Sequence, residues 1–352
     1  MKLPALLLMV TDDCNFGCKY CYQTKGNRYM SWETAKKTLD FFLPRLGKNY
    51  RLAFLGGEPF LAFDLIKEAV AYLKIKNKEL SKTVHYAANS NGSLLDDAVL
   101  DFLQQNNFTL AVSFDAFKQD WGRKKNSFNL VQAAVKKALA RPGIRLEIAS
   151  TFTPGTVAGL CESLEYIIGL GVPKASFSLD MTVAWDRASL DRLARELASL
   201  RKFLLKNYPD GKKTPVRFFS EGEWSGIWQC AAGLTQLLVT PTGQIWGCPL
   251  FYEFFKGKES SPAYGEYCFG GLPDFVNTYR RVPANYARFR MDNFHRSNSP
   301  CFLCPLVEKC IICPVSRPEG DAPRLLVASY LCEMSKILIA EKEKFARGTG
   351  TL

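Results

Sequence analysis

The chain has 352 residues, 47% of them hydrophobic and 23% charged, a composition that excludes an intrinsically disordered protein. Lys and Arg exceed Asp and Glu, which gives a net charge of +12. Because these basic residues are scattered along the chain and form no long run, nucleic acid is not an expected partner. The N-terminal apolar run, Leu3–Val10, is far shorter than the roughly 20 residues of a membrane span, which excludes that kind of anchor.

Up to about residue 205, short β-rich runs alternate with helical patterns, which predicts a parallel sheet covered by helices. The predicted strands are Leu3–Val10, Arg51–Leu55, Thr83–Asn89, Thr109–Phe114, Arg145–Phe152 and Lys174–Met181. Apolar residues at helical spacing predict helices over residues 35–46, 65–73, 99–103, 130–139, 160–168 and 190–204. Six such units favour an α/β fold with a partial (β/α)6 barrel over the closed form of eight units.

The alternation stops near Pro209-Asp210-Gly211, which is a turn signal. Eight of the twelve cysteines lie between Cys230 and Cys332, so we expect a second domain organised around bound metal more than around a large core. The predicted domains are a barrel over residues 1–208, a cysteine-rich domain over residues 209–340, and a C-terminal tail over residues 341–352.

The loop after the first strand carries Cys14, Cys18 and Cys21 in a CxxxCxxC array. We expect a cytoplasmic protein, in which clustered thiols bind metal more often than they form disulfides. Three thiolates can hold a [4Fe–4S] cluster and leave one of its irons open to a chelating molecule. S-adenosylmethionine (SAM) offers an amine and a carboxylate for that position. A small zinc site is the alternative.

With Tyr20 directly before the third cysteine, the array resembles the cluster motif of the radical SAM superfamily. The resemblance covers roughly the first 200 residues. It implies that an electron passed to the bound cofactor yields a 5′-deoxyadenosyl radical, which abstracts hydrogen from a substrate. The segment Gly56-Gly57-Glu58-Pro59 is similar to the superfamily's GGEP segment, which implies that this backbone and its Glu meet the amino group of SAM.

Polar residues at later strand ends supply further candidate SAM contacts. Asn91, Ser113 and Asp115 resemble superfamily residues near the ribose and the carboxylate of SAM. Arg123 offers a guanidinium fork for that carboxylate, with a solvated surface position as the alternative. Ser150 and Thr151 are candidate adenosine contacts, with hydrogen bonding to backbone as the alternative for these two hydroxyls.

The second cysteine set resembles the SPASM extension of radical SAM enzymes, which holds one or two auxiliary [4Fe–4S] clusters. The resemblance implies that Cys301, Cys304, Cys310 and Cys332 hold one cluster, and that Cys230, Cys248 and Cys313 serve the other. The second cluster lacks a thiolate, for which Cys268 is the candidate; an iron left open to substrate is the alternative. Two residues separate Cys310 from Cys313, whereas the extension usually has three between the corresponding cysteines. The role of Cys313 is therefore open. A structural zinc ribbon is the further alternative.

Auxiliary clusters imply an oxidative use of the radical, and the resemblance implies a peptide or protein substrate. We therefore predict a peptide-modifying oxidoreductase, a maturase of ribosomally made peptides, with a flavodoxin- or ferredoxin-like electron donor. Because the predicted barrel begins at residue 1, no leader-recognition domain is expected before it. Either a separate protein recognises the leader, or the basic surface attracts an acidic leader, or the substrate is a folded protein. Alternatives are a sulfatase-maturing enzyme, a radical dehydrogenase of a small alcohol or sugar, and a zinc-binding nucleic-acid module.

The catalytic base is not marked by a motif. Sulfatase-maturing relatives place an Asp directly after an auxiliary-cluster cysteine, whereas Pro249 follows Cys248 in this chain. Asp180, at the end of the sixth predicted strand, and Glu253 are therefore the candidate bases. Cys161 falls on the apolar face of a predicted helix and is expected to be a buried core thiol.

Overall fold

The fold is built on one sheet. The computed structural model describes residues 2–211, 214–220, 230–287, 301, 303–310, 313, 315 and 329–350. Its strands are β1 (Leu3–Thr11), β2 (Leu46–Gly56), β3 (Thr83–Ser90), β4 (Thr109–Ser113), β5 (Arg145–Phe152), β6 (Ala175–Leu179), β7 (Gln236–Val239) and β8 (Ile245–Trp246). Their spatial order is β6-β5-β4-β3-β2-β1-β7-β8.

Helices connect the parallel strands β1 to β6, which confirms the six predicted βα units. Those of the barrel are α1 (Trp32–Phe42), α2 (Phe63–Glu79), α3 (Asp97–Gln105), α4 (Gln119–Gly122), α5 (Phe128–Leu139), α6 (Leu160–Gly169) and α7 (Arg187–Asn207). Those that follow are α8 (Arg217–Ser220), α9 (Pro249–Phe255), α10 (Tyr264–Tyr267), α11 (Leu272–Thr278) and α12 (Ser329–Gly348).

Side-chain caps define where several barrel helices begin. Ser31 accepts a hydrogen bond from the Thr34 amide at the start of α1, and Asp96 accepts one from the Val99 amide at the start of α3. Such caps satisfy amides that have no partner within the helix. The sequence therefore fixes these helix starts locally.

The sheet crosses the predicted domain boundary after residue 208. Strand β7, from the cysteine-rich half, pairs in parallel with β1 from Ala5↔Gln236 to Leu8↔Val239. Strand β1 consequently lies between β2 and β7 and is buried along most of its length. The two predicted domains therefore share a sheet.

Two predicted boundaries were wrong. Strand β2 begins at Leu46, within the stretch predicted as helix, because Leu46 is fully buried and pairs with Leu3. Residues 341–348 continue α12 and are not a tail: α12 packs against α7, Phe345 is 2% exposed, and Arg201 Nε lies 2.8 Å from Glu341 Oε2. Burial of one helical face explains the extension.

Candidate active site

The loop that follows β1 holds the three N-terminal cysteines at the C-terminal end of the parallel strands. The Cys14 amide donates to Asp13 Oδ1 at 2.7 Å, and the Cys21 amide donates to the Cys18 carbonyl at 3.1 Å. Farther along the loop, the Lys19 amide donates to the Gly122 carbonyl at 2.8 Å. These bonds fix the backbone that carries the thiols, at the end of the barrel where active sites of such folds lie.

The three thiols lie close enough together to affect one another. None forms a disulfide, and burial raises the pKa of both Cys14 and Cys18, with Cys21 and Cys14 adding to the effect on Cys18. In the described part of the chain, no three His, Cys, Asp or Glu side chains converge on the position of a single metal ion. A cluster binds each thiolate through a different iron, so the donor set suits a cluster. Loading it would release protons from these thiols.

The segment Gly56-Gly57-Glu58-Pro59 packs directly under this loop. A Cβ on Gly56 would overlap the Thr11 carbonyl oxygen, and one on Gly57 would overlap that of Asp13. Both glycines are therefore required for contact between the two backbones. Gly56 and Gly57 line a cavity, whereas Glu58 and Pro59 are buried behind them.

Glu58 ties the glycine segment to the end of β3. Its Oε1 accepts from Ser90 Oγ at 2.9 Å and from the Phe60 amide at 3.2 Å, and its Oε2 accepts from the Asn91 amide at 2.7 Å. Burial raises the pKa of Glu58 to about 7, although these three donors act to lower it. The structure thus gives Glu58 a positioning role between two cavity segments.

The buried Glu58 makes a testable contribution to stability. Because its pKa is raised from 4.5 to about 7 on folding, the unfolded chain loses this proton at lower pH than the folded chain. The free energy of unfolding should therefore fall by about 3 kcal/mol between pH 4.5 and pH 7 through this group. Urea unfolding at several pH values measures the fall, and Glu58→Gln should flatten it. Exposed Glu33 supplies the control Glu33→Gln, and an unchanged slope in Glu58→Gln would contradict the assignment.

Asn91 contacts the cluster loop itself. Its Nδ2 donates to Asn15 Oδ1 at 2.8 Å and lies 3.7 Å from Cys14 Sγ. Asn91 and Ser113 both line the cavity. Asn91 therefore connects the end of β3 to a predicted cluster ligand, and both residues lie where the resemblance expected SAM contacts.

Asp115 is not free to bond a SAM hydroxyl, contrary to its expected role. It is fully buried, with Oδ1 accepting from the Thr151 amide at 2.8 Å and from Arg123 Nη2 at 2.9 Å. Its Oδ2 accepts from Arg123 Nε at 3.0 Å and from the Tyr20 hydroxyl. All of these contacts lie within the protein, so Asp115 positions other residues.

Arg123 does reach the cavity. The residue is 8% exposed, so the expectation of a solvated surface arginine is wrong. Burial acts to lower the pKa of Arg123, but the Asp115 carboxylate outweighs it and raises the pKa. The guanidinium is thus a buried, permanently charged group held at the cavity wall by a bidentate ion pair.

The cavity has a volume of about 790 Å³ and extends from the cluster loop to the cysteine-rich half. Small residues such as Ala53 and Ala149 line it where closed barrels are filled by branched side chains. Ser150 and Thr151 also line it, but Ser150 Oγ donates to the Phe114 carbonyl at 2.7 Å, as its alternative interpretation predicted.

One candidate base faces the cavity and the other does not. Asp180, which is 7% exposed, lines it, and its Oδ1 accepts two hydrogen bonds from Thr182. Glu253 instead faces the loop after β1, where its Oε2 accepts from the Thr24 amide at 2.9 Å. Burial raises the pKa of Glu253. Asp180 is therefore the better placed of the two.

Electrostatic interactions among the auxiliary cysteines occur within two separate groups. The charges of Cys313 and Cys230 act on Cys248, whose pKa burial raises to about 12. In the second group, burial raises the pKa of Cys332, and the charges of Cys301, Cys310 and Cys304 raise it further. Cys313 also lines the cavity, so the shortened spacing before it does not remove it from the site.

Cys268 is placed differently from its predicted set. It is buried, its Sγ accepts from the Gly270 amide at 3.3 Å, and it lies 3.8 Å from the Ile245 carbonyl oxygen. Tyr264 also bonds it. These contacts hold Cys268 within the β8 region. Cys161 is buried, as predicted, with its Sγ 3.1 Å from Glu165 Oε1.

Sequence patterns missed much of the cavity wall. Tyr22 and Gln23, directly after Cys21, line the cavity together with Thr182. The apolar part of the wall includes Phe177, Met181, Phe218, Leu250 and Leu338. Position next to a strand end or a ligand cysteine could have indicated Thr182, Tyr22 and Gln23. Phe218, Leu250 and Leu338 reach the cavity only through the tertiary fold.

Comparison with known proteins finds a family match within the N-terminal half of the chain. The model of the radical SAM superfamily matches residues 8–156. An uncharacterised protein of Methanocaldococcus jannaschii is 30% identical over 49% of this chain and 62% of its own length. The radical SAM cyclopropyl synthase TigE of Paramaledivibacter caminithermalis is 21% identical over 97% of this chain and 75% of its own length. A cysteine-type anaerobic sulfatase-maturating enzyme of Clostridium novyi is 26% identical over 38% of this chain and 40% of its own length.

Solved structures share the fold of the whole chain. The structure of native anSMEcpe with bound AdoMet and Kp18Cys peptide has a TM-score of 0.76 at 16% identity. The match covers 99% of this chain and 99% of anSMEcpe. Streptococcus suis SuiB bound to precursor peptide SuiA has a TM-score of 0.64 at 16% identity over 94% of this chain and 76% of its own. Within the described residues, no helix combines the length and apolar character needed to cross a membrane. Residues 8–156 of the chain are therefore similar to the radical SAM superfamily, and the chain as a whole has the fold of anSMEcpe and SuiB.

Proposed function

We propose that the chain is a radical SAM oxidoreductase that oxidises or cross-links a peptide or protein substrate. The observation that carries the proposal is the cavity, because Cys14, Cys18 and Cys21 line it together with Cys313 of the auxiliary set. When bound, the clusters and SAM would supply a 5′-deoxyadenosyl radical and an acceptor for the electron that an oxidised product gives up. A substrate in the cavity would lie within reach of both thiol sets.

Residues of the cavity wall would orient the substrate and SAM. The Arg123 guanidinium, whose Nε and Nη2 are held by Asp115, brings a positive charge to the wall that would attract a carboxylate, and the backbone of Gly56 and Gly57 lines the cavity without side chains. Phe177 and Leu250 add apolar surface to the wall, which would keep water away from a reactive radical. The wall thus combines an anion-binding group with a shielded interior.

Asp180 is the residue proposed to accept the substrate proton that accompanies oxidation. It is the candidate base that lines the cavity, and both hydrogen bonds from Thr182 go to its Oδ1. The set of Cys230, Cys248 and Cys313 supplies three thiolates, so one iron of that cluster would stay open to the substrate. This is the alternative to a fourth ligand from Cys268.

The test uses anaerobically reconstituted protein, SAM, a strong reductant and candidate peptides, with deoxyadenosine and modified peptide measured separately. We expect a peptide to stimulate deoxyadenosine formation. Asp180→Asn should still form deoxyadenosine but make roughly 100-fold less product, because loss of a general base typically costs that much. Glu253→Gln is the matched control and should keep product formation. Equal product from Asp180→Asn would refute the assignment.

Sulfatase maturation is the second candidate function, because the curated enzymes similar to this chain include that activity. Pro249 follows Cys248 and lines the cavity, so a base adjacent to that cysteine is missing and Asp180 would have to serve. Stimulation by a sulfatase peptide would favour this candidate. Stimulation by a small alcohol alone would favour the dehydrogenase, and zinc without iron or sulfide would favour the zinc module.

A further inference from the structure

The outer surface of the cluster loop is strongly basic. Segments 14–25 and 117–126 together contain five Lys residues and one Asp, besides Arg123, which is buried against Asp115. We call the exposed part of this surface the cluster-loop face and define it by Gly17, Lys19, Trp121, Lys124 and Lys125. Charge of one sign concentrated on one face attracts partners of the opposite sign and accelerates their approach.

Contacts hold the two segments of the cluster-loop face together. Besides the backbone bond from Lys19 to Gly122, Lys19 Nζ lies 3.9 Å from the centre of the Trp121 ring. On the other side of Gly17, Lys124 Nζ donates to the Asn15 carbonyl at 3.1 Å. The positive charges are therefore fixed against the loop that carries the cluster ligands.

The loop forms a thin wall between the cavity and this face. Phe16, Cys18 and Tyr20 line the cavity, whereas the intervening residues Gly17 and Lys19 are exposed. A Cβ built on Gly17 would meet no atom within 4 Å. Solvent, or a partner, can therefore approach the backbone next to Cys18 without meeting a side chain at residue 17.

Trp121 adds an apolar element to the charged surface. Its side chain is 48% exposed although it is one of the largest in the chain. Exposed aromatic side chains such as Trp are enriched at protein interfaces, whose rim is polar and accessible to solvent. The face thus offers both electrostatic attraction and a contact surface.

We propose that the cluster-loop face is the docking site of an acidic one-electron donor protein. The inference rests on the proposed function, since that reaction needs an electron delivered to the cluster of Cys14, Cys18 and Cys21. In this step one electron leaves the reduced flavin or iron–sulfur centre of the donor and reduces the cluster from the 2+ to the 1+ state. No covalent bond forms or breaks.

The test compares two charge-reversal variants that change the net charge equally. Lys124→Glu/Lys125→Glu alters the face, and Lys74→Glu/Lys78→Glu alters two exposed lysines on α2. Affinity for oxidised flavodoxin is measured by calorimetry at low and high salt, and SAM cleavage is driven either by reduced flavodoxin or by titanium(III) citrate. We expect the face variant to bind flavodoxin at least about tenfold more weakly than the α2 variant at low salt.

We expect titanium-driven cleavage to be unchanged in both variants and flavodoxin-driven cleavage to be lost only in the face variant. Trp121→Ala provides a second probe that leaves the charge intact and should lower only the flavodoxin-driven rate. Equal binding by the two double variants would overturn the docking inference. A wild-type protein that binds flavodoxin at this face but never cleaves SAM, even with titanium, would instead refute the proposed function.

Discussion

Alanine in place of Cys18 should abolish SAM cleavage and remove about four irons per chain, because two thiolates are too few to hold a [4Fe–4S] cluster with one open iron. Cys18 lies between the other two predicted ligands and within range of their charges. Iron and sulfide analysis of anaerobically prepared protein measures the loss, and deoxyadenosine formation measures the activity.

Cys161→Ala is the matched control, since Cys161 is buried on α6 and contacts Glu165. It should keep full iron content and cleavage. Normal iron and normal deoxyadenosine formation in Cys18→Ala would contradict the assignment of the N-terminal thiols. Loss in both variants would mean that thiol removal disturbs the fold generally.

Asn in place of Asp115 should lower the free energy of unfolding by about 3–5 kcal/mol, because it leaves the buried Arg123 charge without its counter-ion. The pair is among the most buried in the described chain, with side-chain exposures of 8% for Arg123 and 0% for Asp115. Urea unfolding of the variant and the parent protein measures the difference.

A double variant separates the charge from the packing. Arg123→Met/Asp115→Asn removes both charges and should cost less than the sum of the two single changes, because neither charge is then left unpaired. Asp97→Asn breaks exposed pairs with Lys137 and Arg141 and should change the free energy of unfolding far less than Asp115→Asn, because water screens exposed ion pairs. A similarly small loss in Asp115→Asn would show that water reaches the buried pair.

Local sequence was sufficient to predict the barrel and the ligand spacing. Strand β1 is apolar from Leu3 to Val10, as is typical of a central strand of a parallel sheet, and that pattern is visible in one segment. The CxxxCxxC array is similarly local. Both parts of the prediction therefore needed no knowledge of distant residues.

The features that could not be predicted from the sequence depend on contacts between residues far apart in the chain. Asp115 has the residue type of a hydroxyl ligand, but its oxygens are taken by Tyr20, Arg123 and the Thr151 amide. Residues 341–348 look like a polar tail until α7 is packed against them. Cys268 is held by contacts with Gly270 and Ile245, and the spacing of cysteines along the sequence does not predict such contacts.

The pairing of β1 with β7 has a consequence for biosynthesis. Strand β1 leaves the ribosome long before one of its two neighbours, residues 236–239, which lie more than 200 residues downstream, so its hydrogen-bonding edge is exposed while the residues between them are made. Unpaired apolar edges are sites of aggregation in nascent chains. Production of the protein should therefore depend on chaperone capacity, and a chain cut after the sixth strand should accumulate in inclusion bodies.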